Sequence, residues 1–119
     1  MSDIKTVSTE ELEGRLRAGG RFEFWNVLTD EYFKGEMIPG SRRVPLDRVG
    51  REAHDAGLPK TAEVVVYCSG PKCPQSGLAA EKLRALGFTN ARAFEGGLEA
   101  WKAAGRRVDP AAAADTAAA

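Results

Sequence analysis

Both cysteines of the chain, Cys68 and Cys73, fall within the stretch VVVYCSGPKCPQSG at residues 64–77. They follow a run that reads as a buried strand, and the segment that holds them is rich in glycine and proline. A thiol at the end of a strand, ahead of a short loop and a helix start, has a chemical consequence. The loop's N–H groups can converge on the sulfur, and the positive end of a helix beginning near Gln75 or Ser76 points toward it. Both effects favour thiolate over thiol and draw the pKa from about 8.5 toward neutrality. The same cradle suits an anionic substrate, or a persulfide whose charge sits one atom further out. Gly70 lets the backbone approach closely, Pro71 and Pro74 stiffen the loop, and Lys72 is its only side-chain cation. The plainer alternative is that Cys68 packs as a small apolar residue.

The elements that must hold this loop can be read from the flanking sequence. AEVVVYC at residues 62–68 is apolar on both faces, as a central parallel strand is. SGLAAEKLRALGF then reads as a helix with Leu78, Ala79, Leu83 and Leu86 on one face and Gly87 as its stop. Upstream, VSTEELEGRLRAGG reads as a helix capped by Ser8 or Thr9 and ended by Gly19 and Gly20. RFEFWNVL at 21–28 reads as a strand, and TDEYFKGE as a short helix with Asp30 and Glu31 near its start. Pro39-Gly40 signals a turn before a short extended piece around Val44, and LDRVGREAHDAGLPK is weakly helical. Downstream, NARAFEG reads as a strand and GLEAWKAAGRR as a last helix, with Gly96 and Gly97 turning the chain into it. Trp25 and Trp101 are expected in the core, and His54 on the surface. Strands alternating with helices predict an α/β fold with a mostly parallel sheet, in which ligands gather at the carboxyl ends of strands. Cys68 is predicted at such an end.

Composition sets bounds. The chain has 119 residues, enough for one domain with its own core, and 17 basic residues balance 17 acidic ones. Zero net charge gives no electrostatic reason to expect nucleic acid or a membrane as partner. The pairs Arg42-Arg43 and Arg106-Arg107 are expected to be solvated. The opening MSDIKTVSTEELEG has no apolar signal region, and no run approaches the roughly 20 apolar residues that span a bilayer. A cytoplasmic location is the expectation. Thiols are kept reduced there, so a close pair points to catalysis, redox activity or metal binding. Two thiols and the remote His54 fall short of a four-ligand zinc site.

Four segments, DEYFKGEMIPGSRRVPL, VVVYC, SGLAAEKLRALGF and AFEGGLEAWKAAGRRV, occur in an order and spacing that resemble the rhodanese domain, over about residues 5 to 108. The resemblance implies an α/β sandwich with a central, mainly parallel five-stranded sheet and helices on both faces. It places the domain at residues 1–108, ahead of an alanine-rich tail, 109–119, expected to be disordered. By position Cys68 matches the family's active cysteine. That group accepts a sulfane sulfur from thiosulfate or a related donor, holds it as a persulfide, and passes it to cyanide or a thiol. The backbone from Ser69 through Gly70, Pro71, Lys72, Pro74 and Gln75 to Ser76 would bind the donor's anionic group. No metal or organic cofactor is implied, and a thiol or protein acceptor would be the partner.

The sequence departs from the family pattern at several points. The common loop has an arginine five residues after the cysteine; here Cys73 stands there, and the loop is two residues longer. Widened loops go with phosphatases and arsenate-handling relatives, yet no arginine lies in this one, and phosphoryl transfer would lack its bidentate clamp. The family's Asp-x-Arg on the strand is here Asn26-Val27-Leu28, and its histidine before Ile-Pro-Gly is Met37, so a buried ion pair is expected to give way to apolar packing. Cys73 is a possible resolving thiol, able to attack a persulfide or sulfenic acid on Cys68 and leave a disulfide. That defines the alternative to sulfur transfer, a binding or redox-sensing module toggling between dithiol and disulfide.

Overall fold

The computed structural model describes residues 5–19 and 22–110. Gly20 and Arg21, expected to end the first helix and begin the next strand, lie outside the described residues, as does the stretch 111–119. In chain order the elements are β1 (Lys5–Thr6), α1 (Thr9–Arg17), β2 (Glu23–Asn26), β3 (Glu36–Met37), β4 (Arg42–Arg43) and a short 3₁₀ turn (Leu46–Arg48). They continue with α2 (Val49–Asp55), β5 (Val64–Tyr67), α3 (Gln75–Ala85), β6 (Ala91–Phe94), α4 (Gly97–Ala103) and β7 (Asp109–Pro110).

The main sheet has five strands in the order β1-β6-β5-β2-β4, and every neighbouring pair is parallel. The α/β architecture with a mainly parallel sheet is therefore as the sequence predicts. β5 is central and buried along its whole length, which is why its sequence is a continuous apolar run. Its side chains alternate between two cores. Val64 and Val66 join Trp25, Ala79, Leu83 and Phe88 on the face covered by α2 and α3. Val65 and Tyr67 join Leu12, Phe24, Phe94, Leu98 and Trp101 on the face covered by α1 and α4. Both tryptophans are core residues as expected, and the His54 ring is exposed.

Local chemistry explains the helix starts. Ser8 caps α1 through a reciprocal pair: its hydroxyl accepts from the Glu11 amide at 3.1 Å, and the Glu11 carboxylate accepts from the Ser8 amide at 3.0 Å. On α3 the buried side is Ser76, Ala79, Ala80 and Leu83. Leu78 and Leu86, expected on that face, are 48% and 46% exposed. Leu78 lies two residues from Ser76 and Ala80, about 200° round the helix from each, so the apolar count misplaced the stripe. Phe88, just past the helix, fills the core instead.

The short helix expected in residues 29–36 does not form. Thr29 accepts from the amides of Tyr32 and Phe33, one turn that stops at Gly35 with φ +85°. Asp30 is paired instead with Arg43 at 2.8 Å. At the other end, Asp109 and Pro110 pair antiparallel with Glu36 and Met37, so ordered structure runs two residues past the expected boundary at 108. No described helix is long and apolar enough to cross a membrane.

Candidate active site

In this sheet the chain leaves β2 toward the β4 edge and leaves β5 toward β6, on the opposite side. Connections that diverge in this way open a crevice beyond the carboxyl ends of the two strands. Cys68, the residue after β5, sits at the base of that crevice with 0% exposure.

The Cys68 loop is held from below by α4. The Leu98 amide donates to the Cys68 carbonyl at 3.1 Å and the Glu99 amide to the Ser69 carbonyl at 2.8 Å. This close approach depends on Gly97, which has φ +58°. A Cβ there would lie 2.5 Å from the Cys68 carbonyl oxygen, so only glycine fits. Both glycines expected to turn the chain into the last helix are needed for space, since a Cβ at Gly96 would lie 2.5 Å from the Ala100 Cβ, and Gly97 alone of the two has a positive φ. Within the loop the Cys73 amide donates to the Gly70 carbonyl at 3.0 Å, folding the chain back so that the two cysteines meet. The Cys68 thiol donates to the Cys73 carbonyl at 3.4 Å. Neither cysteine is in a disulfide.

The two thiols differ electrostatically. Burial pushes the Cys68 thiol above its ordinary value, and its neighbour Cys73 adds to that; the Ser76 hydroxyl and amide oppose the rise without cancelling it. Burial acts the same way on Cys73. There it is outweighed by the Cys68 thiol, the amides of Gln75 and Ser69, and the Ser69 hydroxyl, which together hold Cys73 below its ordinary value. The expectation that the cradle lowers Cys68 is thus corrected. Several of its donors serve Cys73, and Pro71 and Pro74 have none to give.

A cleft of about 850 Å³ opens above the pair. Of the predicted loop residues, Ser69, Lys72, Cys73, Pro74 and Gln75 line it. Gly70 is buried against Glu99, Ser76 is buried, and Pro71 is exposed outside the lining. The opposite wall comes from elements the sequence reading did not assign to the site. Leu28, Tyr32, Lys34 and Glu36 follow β2, and Leu98 and Lys102 belong to α4. Their segments were visible in the sequence, but only the sheet order brings them opposite the loop. Lys102 is paired with Glu36 at 2.7 Å. Gln75 fastens the two sides together: its Oε1 accepts from the Thr29 amide and its Nε2 donates to the Thr29 hydroxyl, each at 3.1 Å.

Beneath the far wall the pattern Asn26-Val27-Leu28 has a polar solution rather than the apolar one expected. The Arg43 guanidinium donates to the Asn26 side-chain oxygen at 3.2 Å and to the Leu28 carbonyl at 2.6 Å, and lies 4.0 Å from the Phe33 ring centre. Arg43, expected to be solvated, has a side chain only 13% exposed and organises the loop after β2. The guanidinium that the family pattern places at 28 comes from the neighbouring strand instead. Met37 is buried as expected. Arg42 bridges Glu23 and Glu52, and Arg106 pairs with Glu13. Among the described residues no group of three Cys, His, Asp or Glu side chains could hold a metal ion.

The profile of the rhodanese-like domain matches residues 8–104. No curated protein matches the sequence significantly. Among solved structures, the BH2092 protein from Bacillus halodurans superposes with a TM-score of 0.79 at 24% identity, covering 90% of this chain and 77% of that one. The human single-domain sulfurtransferase TSTD1 gives 0.67 at 27% identity, covering 81% of this chain and 93% of that one. Thiosulfate sulfurtransferase from Pseudomonas aeruginosa gives 0.76 at 24% identity, covering 91% of this chain but 20% of that longer one.

Proposed function

The chain belongs to the rhodanese-like domain family, and we propose that it is a sulfurtransferase that carries a sulfane sulfur as a persulfide on Cys68. The donor is thiosulfate or a related small anion, and the acceptor is cyanide, a low-molecular thiol or a protein thiol. The observation that carries this reading is the meeting of two free thiols at the carboxyl end of the central strand, beside an open cleft, with loop amides turned onto both sulfurs. Sulfane transfer needs a thiolate to attack, and donors to steady the negative charge on the sulfur that arrives. Ser76 faces Cys68 with its hydroxyl and its amide, and Lys72 stands at the rim where an anion enters. Two adjacent reduced thiols suit a reducing compartment such as the cytoplasm. The domain is assigned to residues 1–108, with the short β7 pairing beyond it.

The test is thiocyanate formation from thiosulfate and cyanide, with the mass of the peptide holding Cys68 measured after thiosulfate alone. Catalytic thiocyanate production and one added sulfur atom are expected. Absence of both would overturn the assignment.

A further inference from the structure

We propose that Cys73, rather than Cys68, is the thiol that meets the sulfur donor, and that the sulfur is then handed inward to Cys68. This rests on the carrier reading above and assigns the order of events within that site.

Accessibility is the first ground. Cys68 is fully buried and takes no part in lining the cleft, whereas Cys73 is half-buried and lines its floor between Ser69 and Gln75. A donor entering the cleft reaches Cys73 first. Proximity is the second. The Cys68 thiol donates to the Cys73 carbonyl at 3.4 Å, so Cys68 stands beside the residue that would carry the incoming sulfur. The third is the distribution of donors. The amides of Ser69 and Gln75 and the Ser69 hydroxyl converge on Cys73, which favours its thiolate in the free protein.

The chemistry balances without an oxidant or a reductant. With thiosulfate, the Cys73 thiolate attacks the outer sulfur. A Cys73 S–S bond forms, the donor's S–S bond breaks, and sulfite leaves with the electron pair. The Cys68 proton passes to the terminal sulfur of the new persulfide. The Cys68 thiolate attacks that sulfur, the bond to Cys73 breaks, and Cys73 is regenerated as thiolate. The sulfur comes to rest in the closed position facing Ser76. The raised pKa of Cys68 fits this order, because a poor first nucleophile is adequate once the sulfur is delivered by the neighbouring residue.

Trypsin cuts after Lys60, Lys72 and Lys82, so the two thiols fall in separate peptides, 61–72 and 73–82. Reduced protein would be mixed with thiosulfate, quenched by alkylation at increasing times, digested, and each peptide weighed; inorganic polysulfide serves as a second donor. In the unmodified protein, added sulfur is expected first on 73–82 and later on 61–72. Cys68→Ser should trap it on 73–82, and Cys73→Ser should load 61–72 about tenfold more slowly or worse. Sulfur appearing first on 61–72, or undiminished loading in Cys73→Ser, would refute the relay and leave the carrier reading standing. Sulfide release with a Cys68–Cys73 disulfide would also refute it, since Cys68 would have attacked the inner sulfur. No sulfur on either peptide from either donor would remove the carrier reading itself. The time order in the unmodified protein decides the matter even if a variant folds poorly.

Discussion

Cys68 and Cys73 are the same chemical group in one loop, made unequal by their surroundings. The buried thiol has Ser76 to favour its charge, and the cleft-facing one has the Ser69 and Gln75 amides together with its neighbour's thiol. Alkylation reports thiolate directly. With limiting iodoacetamide at pH 7, modification of peptide 73–82 should outpace that of 61–72 by about tenfold or more. Because the Cys73 pKa is depressed, its rate should hold up as the pH falls below about 8.5, whereas an unperturbed thiol slows throughout that range. Equal rates on the two peptides would show that the loop does not discriminate between them. Arg43 teaches the same lesson from the other wall, since a residue that reads as surface charge serves as the internal brace of the β2 loop.

At the scale of elements, α3 has two jobs that use different residues. Its first turn faces the thiols through Gln75 and Ser76, and its buried side anchors it to the sheet through Ala79, Ala80 and Leu83. Leu83→Ala should therefore destabilise the protein by about 2–5 kcal/mol, the cost of a cavity in a packed core. Leu78→Ala, on the exposed side, should change stability by no more than about 0.5 kcal/mol. Urea unfolding of the two variants checks both values, and a reversed order would mean the helix packs by its other face. α4 acts on the site by a different route. Its first amides are occupied by the Cys68 and Ser69 carbonyls, so it positions the loop and leaves anion contact to the loop itself.

Across the whole molecule, the Tyr67 hydroxyl ties the end of the central strand to the segment before β4. It accepts from the Ile38 amide at 2.9 Å and shares a 2.6 Å hydrogen bond with Ser41. Burial raises its pKa, against the opposing pull of those two partners. The folded state therefore keeps the Tyr67 proton at a pH where the unfolded chain has already lost it. Stability must then fall as the pH rises above about 10, by up to about 1.4 kcal/mol per pH unit for one group. Cys68, also raised, begins the same decline from about pH 8.5. Urea midpoints from pH 8 to 11 should fall with pH, and Tyr67→Phe should remove the steepening above about pH 10. The same variant should cost about 1–3 kcal/mol at neutral pH, because it leaves the Ile38 amide without its acceptor. A pH profile unaltered by the substitution would show that Tyr67 titrates normally.

The sequence by itself determined the α/β alternation, the central placement of β5, and the position of Cys68 at a strand end, because these follow from local apolar patterning and from glycines that stop helices. The segment order likewise carried the family resemblance. What only the tertiary structure decided was which donors face which thiol. Sequence distance does not assign them: Ser69, next to Cys68, serves Cys73, and Ser76, nearer in the chain to Cys73, serves Cys68, because the 68–73 turn folds the loop back. It also decided the opposite wall of the cleft, since Tyr32 and Lys102 lie far apart in the chain and share a site only through the strand order. Contacts of that kind depend on long-range register, which no local pattern encodes. Arg43 looked solvated for the same reason: its partners Asn26 and Leu28 sit on and just beyond a neighbouring strand, and pairing β2 with β4 is what brings them within reach.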